Sequence, residues 1–89
     1  MMTSQEITVD NKLGLHARPS ALLVKAATKY RSEFYIEKDG MRVNGKSIMG
    51  VMMLAAEYQS KLVLIADGVD EQHLLQEITT MFAERFGEE

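Results

Sequence analysis

The chain has 89 residues, 46 % hydrophobic and 26 % charged, with no cysteine and a formal net charge of −3. This describes one small globular domain, 1–89, and excludes a disulfide framework, a thiolate metal site and a disordered tail. The charge argues against general nucleic-acid binding, and the apolar runs are too short to cross a membrane.

Along the chain, EITVD alternates polar and apolar residues and predicts a half-buried strand with Ile7 and Val9 on one face. NKLGLHA reads as a loop. From about Ala17 to Tyr30 the apolar residues Leu22, Leu23, Ala26, Ala27 and Tyr30 recur at helical spacing. Pro19, the only proline, fits the first turn, where backbone N–H groups have no intrahelical acceptor; this puts the helix start beside His16. EFYIEK and MRVN read as strands joined at Asp39-Gly40, a dipeptide suited to a turn that needs positive φ at both positions. SIMGVMMLAAEY is a short apolar helix capped by Ser47, and KLVLIA is a strand apolar on both faces, hence central. Asp70 caps a last helix whose Leu74, Ile78, Met81 and Phe82 face the core, with Val69 and Leu74 at the hydrophobic-staple positions. The order β-α-β-β-α-β-α is an α+β pattern: a four-stranded, mainly antiparallel sheet with three helices on one face.

Charge is unevenly spread. Residues 1–31 carry five positive and two negative side chains, and residues 57–89 carry two positive and eight negative. A basic end around His16 can steer toward an anionic ligand or an acidic partner, although scattered solvated side chains give the same count. The N-terminal MMTSQEITVDNK lacks the apolar stretch of a signal peptide, so the default compartment is the cytoplasm.

Gly40–Ser47, GMRVNGKS, satisfies the phosphate-loop pattern G-x-x-x-x-G-K-[ST]. The hairpin reading undoes it. A phosphate cradle needs converging backbone N–H groups and small residues between the glycines, whereas Met41, Arg42 and Val43 belong to a strand. A nucleotide-binding module is therefore the remote alternative. What survives is Ser47 at a helix start with Lys46 beside it, where a plain N-cap is the simpler role and a phosphate held by the helix dipole the functional one.

GLHARPSA sets an imidazole before a helix, with an arginine two residues on. Neutral imidazole offers one ring nitrogen with a free lone pair. Attack on phosphorus would give a phosphoramidate, whose oxygens the helix N-terminus and the Arg18 guanidinium can hold. Gly14 frees the preceding loop. His73 reads as an exposed residue in the first turn of the last helix, and the two histidines have no metal-ligand spacing; neither a metal nor a cofactor is expected.

GLHARPSA resembles the phosphorylation site of the HPr family, the histidine-containing phosphocarriers of the bacterial phosphoenolpyruvate-dependent sugar phosphotransferase system, and VNGKSIMGVMMLA is similar to that family's regulatory-serine segment. Length and element order agree across almost the whole chain. The resemblance implies an open-faced β-sandwich and a carrier that works as a relay substrate more than as an enzyme with its own turnover. It implies phosphorylation of His16 on Nδ1, contact of Arg18 with the phosphoryl group, and Ala17 and Pro19 completing the site motif. Ser47 falls on the serine modified by a bifunctional kinase/phosphorylase in many bacteria, with Lys46 beside it. Ile48, Met49 and Met52 fall on the patch that docks Enzyme I, and the acceptors are enzyme IIA domains. In some bacteria the serine-phosphorylated form binds a transcriptional repressor. Gly45 stands where the family frequently has a larger residue. KLGLHAR also occurs in nitrogen-branch relatives, so both a sugar-transport and a purely regulatory carrier fit. A monomer suits a shuttle meeting partners in turn. Of the chain's seven methionines, Met49, Met52 and Met53 lie in the short helix, where core filling and partner docking compete, and a split between the two is expected.

Overall fold

A computed structural model describes residues 2–88. The elements follow the predicted order: β1 (Met2–Thr8), α1 (Ala17–Ala27), β2 (Glu33–Lys38), β3 (Met41–Asn44), α2 (Ile48–Met53), β4 (Lys61–Asp67) and α3 (Glu71–Ala83), with a short 3-10 turn at Arg85–Gly87. The strands form one antiparallel sheet in the order β1-β4-β2-β3. β4 is central, as its two-sided apolar pattern requires. Its Leu62, Leu64 and Ala66 pair with Ile7, Ile36 and Phe34 on neighbouring strands, forming the sheet's contribution to the core. From above, α1 supplies Leu23 and Ala27, and α3 supplies Leu74, Ile78 and Phe82. Among the described residues the opposite face carries no helix. There Tyr35 and Ile65 are paired across the strands, and the Arg42 guanidinium lies 5.6 Å from the Tyr35 ring centre while its Nε donates to Glu37 at 2.9 Å.

The turn between β2 and β3 has φ of +51° at Asp39 and +83° at Gly40, the two positive values predicted for this dipeptide. α1 stops at Ala27, three residues before Tyr30. The N–H groups of Lys29 and Tyr30 reach back only three residues, to the carbonyls of Ala26 and Ala27, so the last turn tightens and leaves the α-helical path.

The start of α3 departs from the prediction. Asp70 occupies the N-cap position but makes no capping bond to the helix. Its carboxylate instead accepts from the backbone N–H groups of Arg31 and Ser32, both at 2.9 Å, and from the Ser32 hydroxyl. It is a tie to the segment entering β2. Glu71 ties the approach to the helix, accepting from the Gly68 N–H at 3.0 Å and from the Thr3 hydroxyl. The hydrophobic staple is absent too, because Val69 is 86 % exposed.

Gly45, the departure noted above, has a local cause. A Cβ there would lie 2.2 Å from a ring carbon of Phe34, so this core fills with the aromatic ring the space a larger residue at 45 would need.

Candidate functional site

The segment from Val9 to His16 is pinned before it reaches α1. Val9 exchanges backbone bonds with the loop ahead of β4, donating to Ser60 at 2.9 Å and accepting from Gln59 at 2.7 Å. Leu15 is buried and donates to Ala56 at 2.9 Å. Gly14, with φ of +68°, brings its Cα against the same carbonyl. The fully buried Asn11 closes the turn by donating from Nδ2 to the Gly14 carbonyl at 2.7 Å. A buried leucine fixed immediately before it leaves His16 on the surface, at the N-cap of α1.

His16 makes no side-chain capping bond; its backbone is extended and its carbonyl accepts from Ser20, the first bond of the helix. Ser20 is buried and its hydroxyl donates to Leu15 at 3.0 Å, which locks the turn. Ala17 and Arg18 are the first two residues of α1, so their N–H groups have no intrahelical acceptor by position. Pro19, the third, lacks an N–H altogether and its ring is buried.

The feature that the sequence reading did not find is the tail. His16 Nε2 lies 2.9 Å from Glu88 Oε2, and Arg18 Nη1 donates to the same oxygen at 3.1 Å and to the Phe86 carbonyl at 3.1 Å. Asn11 Nδ2 donates to Glu88 Oε1 at 3.0 Å. Burial pushes the Glu88 carboxyl upward, but the hydrogen bonds from Asn11, His16 and Arg18 outweigh it and hold the group below the usual carboxylate value. An ionised carboxylate only accepts; the hydrogen of the His16–Glu88 contact therefore sits on Nε2. Among the described residues nothing bonds to Nδ1.

The second predicted cluster lies on α2. Ser47 is its N-cap and accepts from the Gly50 N–H at 3.0 Å. Lys46 does not accompany it: the ammonium turns away to the Tyr30 carbonyl at 2.7 Å. Ile48, Met49 and Met52 are exposed, and so is Met53. The expected division of the methionines between core and surface does not hold, because Val51 and Leu54 anchor this segment and leave all three thioethers outside. His73 is exposed in the first turn of α3. Among the described residues no group of three metal-ligating side chains converges, and no helix is long and apolar enough to cross a membrane. Gly40–Ser47 divides between a hairpin, β3 and the start of α2, so these residues form no phosphate loop.

A family model described as "PTS HPr component phosphorylation site" matches residues 3–84. Phosphocarrier protein HPr of Cupriavidus necator is 46 % identical over 87 residues, 98 % of each chain. Among solved structures, HPr-C-His from Thermoanaerobacter tengcongensis superposes with a TM-score of 0.94 at 41 % identity, covering 98 % of both chains. Crh, the Bacillus subtilis catabolite repression protein, crystallised as a swapped-domain dimer. It superposes with a TM-score of 0.76 at 44 % identity, covering 91 % of this chain and 93 % of its own.

Proposed function

This chain belongs to the HPr family of phosphocarriers, and from that premise we propose that His16 Nδ1 takes a phosphoryl group from phosphorylated Enzyme I and hands it to enzyme IIA domains. The observation that carries the reading is the division of labour on the imidazole. One nitrogen is occupied by a carboxylate, and the other has no partner among the described residues, at the start of α1 with Arg18 alongside. A phosphoryl group on Nδ1 has the Ala17 and Arg18 N–H groups and the Arg18 guanidinium within the same turn to offset its charge. The protein contributes position and charge, and the partners bring the rest of the site. Such traffic belongs in the cytoplasm. Incubation with Enzyme I and labelled phosphoenolpyruvate tests the reading: wild type takes up acid-labile label and His16→Ala takes up none. Equal labelling of the two would refute it.

A regulatory output is favoured by a second observation. Ser47 is half-buried at the edge of the exposed Ile48, Met49, Met52 patch. A phosphate there, from a kinase/phosphorylase, would add roughly −1.5 to −2 of charge beside an apolar docking face and weaken Enzyme I binding. A regulator of transcription could read the same mark, as the similarity to Crh suggests. Ser47→Asp should accept phosphate from Enzyme I more slowly than wild type; an unchanged rate overturns the inhibitory role. A carrier that shows one face to donor and acceptors in turn works as a monomer, and sedimentation distinguishes this from a dimer of the kind Crh forms.

A further inference from the structure

The chain has no cysteine, so methionine is its only sulfur-bearing residue. Three of the seven methionines, Met49, Met52 and Met53, fall within the six residues of α2. Spacings of three and four residues make Met52 and Met53 both surface neighbours of Met49. The three are 78 %, 44 % and 66 % exposed, while Val51 and Leu54 beneath them are buried. The helix is therefore held by its aliphatic residues, and its thioethers form a continuous outer face that contributes little to the core. α2, IMGVMM, contains no ionisable residue, so no charge interrupts that face. Met81 instead packs against the core, and the exposed Met2 and Met41 lie one on each edge strand.

We propose that the α2 face is a reversible oxidation site: hydrogen peroxide converts the thioethers of Met49, Met52 and Met53 to sulfoxides, which weakens Enzyme I docking and leaves the fold intact. This rests on the reading of the α2 face as the Enzyme I surface. In the forward step a sulfur lone pair attacks one peroxide oxygen, forming the S–O bond as the O–O bond breaks. The electron pair of that bond leaves on the second oxygen, which takes the hydrogen of the first and departs as water. Sulfur gives up two electrons and the peroxide gains them. A methionine sulfoxide reductase reverses the change with two electrons from a pair of thiols, which become a disulfide while the oxygen leaves as water. A flexible apolar side chain thus becomes a polar one. The sulfoxide oxygen is a strong hydrogen-bond acceptor, and burying it against an apolar partner surface strips its water without replacing the bond. The fold is spared because Val51 and Leu54, which anchor the helix, have no sulfur to oxidise.

The test treats the full-length protein with graded hydrogen peroxide, removes the oxidant, and locates the added oxygen by peptide mass spectrometry. Met49 and Met53 should oxidise well ahead of Met81, and the melting midpoint should stay within about 3 °C of the untreated protein. With phosphorylated Enzyme I, oxidation should raise the KM on the order of ten-fold with the maximal rate nearly unchanged, and a methionine sulfoxide reductase should restore the starting value. Two variants, each compared with its own untreated form, assign the effect. Met2→Leu/Met41→Leu should keep the peroxide-induced rise in KM, and Met49→Leu/Met52→Leu/Met53→Leu should lose it. Oxidation of Met81 as fast as Met49, a fall in melting midpoint beyond that range, an unchanged KM in oxidised wild type, or an equal rise in the triple variant would each overturn the proposal. If the untreated protein accepts no phosphate from Enzyme I, the docking reading fails, whereas the oxidation map and its reversal by the reductase still decide whether α2 is the oxidation site.

Discussion

Replacing Gly14 by alanine probes how tightly the loop before His16 is held. The added Cβ would lie 2.3 Å from the Ala56 carbonyl oxygen and 3.0 Å from the Glu57 Cα. Both neighbours are backbone, so no side-chain rotation relieves the overlap. The φ of +68° costs about 1–2 kcal/mol for a residue with a Cβ. Shifting one loop away from the other adds about 1–3 kcal/mol. Against a total stability of about 5–15 kcal/mol, a loss of about 2–5 kcal/mol is a large share, and at about 4 °C or more per kcal/mol it lowers the melting midpoint by at least about 8 °C. The bond from Leu15 to Ala56 lengthens with it, so the Leu15 amide should exchange its hydrogen faster. Thermal melts by circular dichroism, with amide exchange on the same samples, measure both effects. A midpoint within about 3 °C of wild type, with Leu15 still protected, would show that this contact does not hold the loop.

Gly45→Ala should cost about 1–3 kcal/mol through its clash with Phe34, and less in a Phe34→Leu background; independent effects in that cycle would rule out the aromatic ring as the cause. The Asp70 carboxyl is held down to about 2 by the Ser32 hydroxyl first and the Arg31 N–H next, against partial desolvation. Because this lies below the ordinary 3.8, its stabilisation is complete above that value and fades as pH falls toward 2. Asp70→Asn should therefore melt lower than wild type at neutral pH and lose part of the pH dependence below 3.8; parallel melting curves through that range would contradict it. Met49→Glu, at a site 78 % exposed, should leave stability within about 0.5 kcal/mol and raise the KM with Enzyme I, while an unchanged KM removes Met49 from the docking face.

What the sequence disclosed was what local chemistry controls. Pro19 could sit only in the first turn of a helix, so it located the start of α1 and set His16 at its cap. Asp39-Gly40 demanded a turn with two positive φ values. The apolar residues on both faces of β4 required a central place in the sheet. The failures came where a distant group outbid the local one. Asp70 has the right residue type for a cap, but the N–H groups of Arg31 and Ser32, far earlier in the chain, claim its carboxylate. The methionines of α2 had no local signal to sort them, because only the placement of Val51 and Leu54 under the helix decides which side faces out. The candidate site was half legible. GLHARPSA announced His16 and Arg18, but Glu88 meets them from seventy or more residues away, through a turn in which Arg85 and Phe86 adopt backbone angles their types do not advertise. The nearest clue was Gly87 following a helix, which marks a reversal without saying where it leads.

The pairing of β1 with β4 sets a timetable for the molecule's birth. Met2 to Thr8 pair with Lys61 to Asp67, so β1 cannot join the sheet until β4, far later in the sequence, has been made. The loop that presents His16 hangs from that strand and leans on the turn just ahead of β4.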